Sequence, residues 1–124
     1  MDVLLDTQIL VWIGDGDQRL TGRVRNLIFD DRTNIFVSSV TAWEYADLEN
    51  RGRFVGAGSL GPVLEALNAT LLDYPAVAWK LAATLPDLHR DPVDRMLIAH
   101  AIHADLTLVT ADAKMRAYPV KCLW

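Results

Sequence analysis

One cysteine in 124 residues, Cys122, leaves no internal disulfide to be made, as suits a reducing compartment. Its expected place is that of a small buried hydrophobe in a closing strand. No apolar run nears the ~20 residues that span a bilayer, because "MDVLLDTQILVW" is broken by Asp2 and Asp6. The opening residues also lack the basic stretch and small-residue cleavage site of a secretory signal, so the expectation is a cytoplasmic protein with no membrane association. Positive charge is scarce: 12 Lys and Arg stand against 16 Asp and Glu, giving a net charge of −4 and a pI near 5.2. That balance argues against a broad basic face for nucleic acid, but it permits an approach to phosphate through a bound cation. Phosphate-cradling glycine motifs are missing as well, and "GAG" at 56–58 is too generic to count. No serine sits in a nucleophile elbow, which disfavours a serine hydrolase. With no repeat, biased tract or linker, residues 1–124 read as one domain.

What is present is apolar and periodic. Hydrophobic residues make up 52% of the chain and mean hydropathy is +0.16, enough for a sizeable core. Strands are expected at Val3–Leu5, "NIFVS" (34–38), near "TLLDY", at "LTLVT" and at "VKCLW". Helical spacing marks "TQILVWI", "GRVRNLIFDD", "SVTAWEYADLENRG", "PVLEALNA", "PAVAWKLAATL", "DPVDRMLIAHAI" and a short turn from Ala111. Gly52 is placed to end the third of these, and "RGRFVGAGSLGP" (51–62) reads as a mobile surface loop. Short strands alternating with helices predict an α/β fold: three layers, α/β/α, around a mostly parallel central sheet. Sites in such sheets form beyond the carboxyl ends of the strands, near the switch in strand order.

Four acids fall where that rule looks. Asp6 follows the first strand, Glu44 lies one turn into the helix after the second, Asp94 begins a helix, and Asp112 follows "LTLVT". Three of them head or join apolar stripes: Asp6 with Ile9, Leu10 and Ile13; Glu44 between Val40 and Leu48; Asp94 with Leu97, Ile98, Ala101 and Ile102. Capping accounts for part of this. "DPVD" makes Asp91 an N-cap with Pro92 at the first helical position, and "TAWE" has capping-box spacing from Thr41 to Glu44. Capping does not explain why carboxylates point inward, where an unpaired charge is disfavoured. Separate partners or a shared cation would; all-oxygen donors suit Mg²⁺ or Mn²⁺ rather than zinc. His100 and His103 read as a solvated helix face, and His89 as a loop residue at the surface or beside substrate. The four tryptophans are mostly assigned to the core by default, with Trp12 and Trp43, which adjoin acids, open to shaping a pocket or a partner-binding groove instead.

Four segments, in order and nearly end to end, carry a resemblance. "LLDTQILVW", "VSSVTAWEYA", "HRDPVDRMLIAHAI" and "LTLVTADAKMRAYPVKCL" are similar to the corresponding stretches of the PIN-domain family, specifically VapC-type toxins of toxin–antitoxin pairs. The resemblance implies a PIN-like fold and a Mg²⁺-dependent endoribonuclease. It implies Asp6, Glu44, Asp94 and Asp112 as catalytic and metal-binding residues, with Asp91 as a subgroup extra and Thr110 orienting a carboxylate or water. Two departures stand out: Gln8 replaces a usual histidine, and Leu48 a usual lysine, for which Arg51 and Arg53 could substitute in contacting RNA. A homodimer and a small VapB-like antitoxin that reaches the acids near Trp12, Trp43 and the glycine loop are implied likewise. Two other readings of the acids are a receiver-like phosphoacceptor, which would need a late lysine at the site, and a catalytically silent binding module.

Overall fold

The computed structural model describes residues 1–53 and 58–124. The glycine loop expected at 51–62 therefore falls partly outside the described residues, and so do Gly56 and Ala57. Elements run β1 (Asp2–Leu5), α1 (Thr7–Asp15), α2 (Gly22–Ile28), β2 (Asn34–Ser38), α3 (Ser39–Asn50), α4 (Leu60–Ala66) and β3 (Thr70–Leu72). They continue as α5 (Ala78–Thr84), α6 (Pro92–Ala104), β4 (Thr107–Val109), α7 (Ala113–Arg116) and β5 (Cys122–Leu123). The sheet has the order β3-β2-β1-β4-β5, and every pair is parallel.

Alternation along β1 builds both cores. Successive strand residues face opposite sides, so Val3 and Leu5 join Ile9, Leu10, Val24, Ile28, Tyr45 and Val63 on one face. Leu4 turns the other way, to Leu97, Ile98, Ala101, Leu108 and Met115. Helices cover the sheet on both sides, the three-layer α/β/α arrangement expected from the pattern. β1 lies between β2, at Val3↔Ile35, and β4, at Leu5↔Val109. Strand order reverses there: the chain moves outward from β1 to β2 and β3, then returns to the other side of β1 with β4.

Local chemistry sets the helix starts. Asp91 caps α6 by accepting from the Asp94 N–H, with Pro92 in the first turn. The cap of α3 is Ser38, the last residue of β2, whose hydroxyl accepts from the Val40 N–H. Thr41 is thus inside the helix and buried, and no Thr41–Glu44 capping box forms. Strand passes to helix without a loop, so the first capping-capable residue takes the role. Gly52 does follow the end of α3, at φ +68°.

Three other expectations change. His103 is exposed, but His100 is 1% exposed, with Nδ1 2.9 Å from Ser38 Oγ and its ring edge-on to Tyr74. Helix α6 is packed by α3 as well as by α5, so the face carrying His100 is covered. Trp12 is in the core, whereas Trp43 and Trp79 are 60% and 66% exposed. Cys122 is half-buried at the sheet edge.

Burial and then the neighbouring His103 hold the His100 pKa below its ordinary 6.5. The fold therefore favours neutral imidazole, and as pH falls below 6.5 the unfolded chain gains a proton that the folded chain resists. Stability from this group is full above that range and is lost on acidification. His100→Gln should cost about 1–3 kcal/mol at pH 7.5 for the disturbed buried contact. It should also lose less on passing to pH 5.5, so the two urea midpoints converge; parallel pH profiles would contradict this.

Candidate metal centre

The reversal point between β1 and β4 is where the acids gather. Asp6 follows β1 and caps α1; its N–H donates to Val109 O (3.1 Å) across to β4. Its Oδ1 accepts from the Thr7 N–H (2.7 Å) and its Oδ2 from the Thr110 hydroxyl (2.8 Å), so both carboxylate oxygens are held. The same Thr110 oxygen accepts from the Asp112 N–H (3.1 Å), and Asp112 in turn caps α7 through the Lys114 N–H. Thr110 is fully buried. It orients two acids and offers no surface to a substrate.

Glu44 from α3 and Asp94 from the first turn of α6 complete the group. Asp6, Glu44, Asp91, Asp94 and Asp112 line one cleft of about 870 Å³ together with Thr7, Gln8, Trp12, Arg19 and Arg53. The acids are in conflict with their setting. Asp6 is 6% exposed; burial, reinforced by the charges of Glu44 and Asp112, raises its pKa to about 6 despite the Thr110 and Thr7 hydrogen bonds. Burial, then the charges of Asp6, Asp91, Glu44 and Asp112, push Asp94 up to about 8. Burial raises Glu44 too, partly offset by the Thr7 side chain. Like charges held close in low dielectric raise one another's pKa, and a cation between them removes the cause. Carboxylate oxygens make a donor set suited to Mg²⁺ or Mn²⁺, so the residues present fit a divalent metal.

One contact of the acids was not assigned from the sequence. His89, read there as a loop residue at the surface or beside substrate, brings Nε2 to 2.8 Å from Asp94 Oδ2 and 3.2 Å from Asp112 Oδ2. The ligand atoms of these three residues lie within 4.8 Å of one another. Among the described residues, His89 is the one Lys, Arg or His side chain within 4 Å of any of the four acids, and it touches Asp94 and Asp112. The only hint in the sequence was its place two residues before the Asp91 cap. Arg51, expected in substrate contact, pairs instead with Asp47 one turn back (3.2 Å), leaving Arg53 on the cleft wall. Arg19, unnoticed before, lies 5.0 Å over the Trp12 ring and is held by Asp17. Lys121 is bound to Asp105 (2.8 Å), and neither it nor Lys114 lines the cleft, which counts against a receiver-like site.

The family model "PIN domain" matches residues 3–121. Among solved structures, the chain resembles VapBC2 from Rickettsia felis, bound to a DNA fragment from its promoter, at TM-score 0.71 and 18% identity over 100% of this chain and 99% of that one. It is similar to Mycobacterium tuberculosis VapC20, a sarcin-ricin loop cleaving toxin, at TM-score 0.67 and 15% identity over 95% of each chain. VapBC-1 from nontypeable Haemophilus influenzae gives 0.60 and 20%, over 99% and 97%. At these identities the likeness is one of fold. A search of curated proteins finds no match.

A raised carboxylate pKa means that stability is full below the unfolded value of 3.8 and is lost as pH rises through about 8 for Asp94. In EDTA, Asp94→Asn should match wild type near pH 4 and melt higher at pH 8, by on the order of 5 °C. Mg²⁺ should raise the wild-type Tm and leave the variant nearly unmoved. A variant that melts lower at pH 8 in EDTA would mean that Asp94 acts only as a helix-start carboxylate.

Proposed function

The chain belongs to the PIN-domain family, and on that footing we propose that it is a divalent-metal-dependent endoribonuclease, the toxin of a VapBC-type pair. One observation carries the reading: four carboxylates from four separate elements line one cleft at the strand-order reversal, two of them with pKa values pushed to about 6 and about 8. A silent binding module would have no use for so costly a cluster.

Asp6 and Asp94 are the direct ligands in this reading, since both are drawn into the cleft floor by burial and crowding. Asp112 is the third, its backbone tied to Asp6 through Thr110. A bound Mg²⁺ or Mn²⁺ supplies an acidified water and stabilises charge on the phosphate. Glu44, more basic than an ordinary carboxylate because it is half-buried, is suited to take the proton of the attacking water. Arg53 meets the RNA backbone from the cleft wall, and Asp91 serves as the α6 cap at the rim. The acidic composition is consistent with this division: the cation draws in phosphate, and the protein supplies the cage.

The antitoxin proposed as partner is a small protein that offers a basic side chain to the acids. Trp43, exposed one residue before Glu44, is an apolar rest for its chain. A homodimer and a cytoplasmic location belong to the same reading. Residues 1–124 make up one PIN-like nuclease domain in it.

Mg²⁺ or Mn²⁺ should support RNA cleavage, and Ca²⁺ should bind but work poorly because its coordination shell is larger and looser. EDTA should abolish activity, and Asp6→Asn should lower it by roughly 100-fold or more. Full activity in metal-stripped buffer, measured on a labelled RNA, would end the proposal. Arg53→Ala should weaken RNA binding and reduce the slope of log affinity against log salt by about one contact, while Arg51→Ala should leave the slope alone. Equal effects from both would show that the Asp47 pair does not hold Arg51 back.

A further inference from the structure

The segment between α5 and α6 is braced more heavily than a connection of its length requires. The Tyr118 hydroxyl accepts from the Leu88 N–H (3.1 Å) and the His89 N–H (2.8 Å), and donates to Pro86 O (2.7 Å). Arg95 has no carboxylate partner among the described residues. Its guanidinium donates to the carbonyls of Ala82 (3.0 Å), Leu85 (2.9 Å), Pro86 (3.0 Å) and His89 (3.3 Å), and to the Tyr118 oxygen (3.3 Å). A guanidinium committed to main-chain oxygens fixes a backbone path by its rigid fork. The residue that path delivers is His89.

The ring is oriented as well as placed. His89 Nδ1 accepts from the Asp91 N–H (3.3 Å). A neutral imidazole accepting at one nitrogen carries its proton on the other. His89 therefore presents a Nε2–H, not a lone pair, to Asp94 Oδ2 at 2.8 Å and Asp112 Oδ2 at 3.2 Å. Asp94 comes from α6 and Asp112 from the turn after β4, and no direct hydrogen bond joins the two carboxylates.

We propose that His89 is a positioning residue of the metal centre: its Nε2–H ties Asp94 to Asp112 and holds the two carboxylates in the arrangement that the cation would bind, while Tyr118 and Arg95 hold His89 in place. The proposal rests on the metal reading given above. Without the shared donor, two like-charged carboxylates on separate elements rotate apart, and the cation has to reassemble them. Hydrogen-bonding partners of metal ligands commonly govern affinity by about 10–100-fold when removed.

The test is Mn²⁺ affinity of the full chain, by titration with electron paramagnetic resonance of free Mn²⁺, with folding checked by circular dichroism. His89→Ala should bind Mn²⁺ roughly 10–100-fold more weakly. His89→Gln, whose amide N–H can replace the Nε2–H, should recover most of that loss. Tyr118→Phe, which leaves every cleft residue in place, should weaken binding several-fold. His89→Ala affinity within twofold of wild type would reduce the residue to a loop brace and overturn the proposal. Tighter binding would overturn it as well, by making the imidazole a competitor for the cation's place. His89→Gln as weak as His89→Ala would remove the N–H donor role. Asp94→Asn binding Mn²⁺ as well as wild type would instead overturn the metal assignment beneath it.

Discussion

The hydrogen bond from the Thr110 hydroxyl to the Asp6 carboxylate joins residues 104 positions apart, and the centre is assembled around it. It spans the gap between β1 and β4, where neighbouring parallel strands diverge in their onward connections. Because Thr110 also accepts from the Asp112 N–H, one buried oxygen sets both the first acid and the last. Asp94 is then placed by α6, whose apolar stripe of Leu97, Ile98 and Ala101 is pinned to the sheet. Helix packing fixes where the carboxylate goes; the electrostatic discomfort of Asp94 comes first from that burial and then from Asp6, Asp91, Glu44 and Asp112, of which only Asp91 is a neighbour in sequence.

Legibility followed the range of the forces involved. β2 was visible residue for residue in "NIFVS", and α6 could be read from Asp91, Pro92 and the spacing of its apolar positions, because caps and periodicity are local. The four acids could be gathered on paper because parallel topology carries strand ends to one edge. His89 could not, since its place depends on a tyrosine 29 positions away and on an arginine bound to carbonyls. Nor could His100, whose partner Ser38 lies 62 positions back on another element. Arg51 and Arg53 look equivalent in sequence, yet the end of α3 points the first along the helix to Asp47 and the second into the cleft. Trp79 was assigned to the core by residue type alone and is exposed; Trp43, beside an acid, had a second reading as part of a pocket or partner surface, and it too is exposed.

The cleft is chemically mixed. Its acids share the lining with Trp12, which has Arg19 over its ring and Trp124 at 5.5 Å. Asp17 holds Arg19 in that position. A polyanion entering such a cleft meets acids together with the Arg19 and Arg53 guanidinium groups, so its approach depends on charge as well as on shape.

Asp6, Asp91 and Asp112 each sit at the cap of a helix, accepting a main-chain N–H. Asparagine caps a helix about as well as aspartate, yet it brings no charge to a cation. The genetic code separates the two residues by a single base in the first codon position. For a ribonuclease of the kind proposed, folded and inert forms are therefore close neighbours in sequence space. A cell under pressure from such a protein would reach harmlessness by point changes that leave the fold, and any surface that recognises a partner, standing.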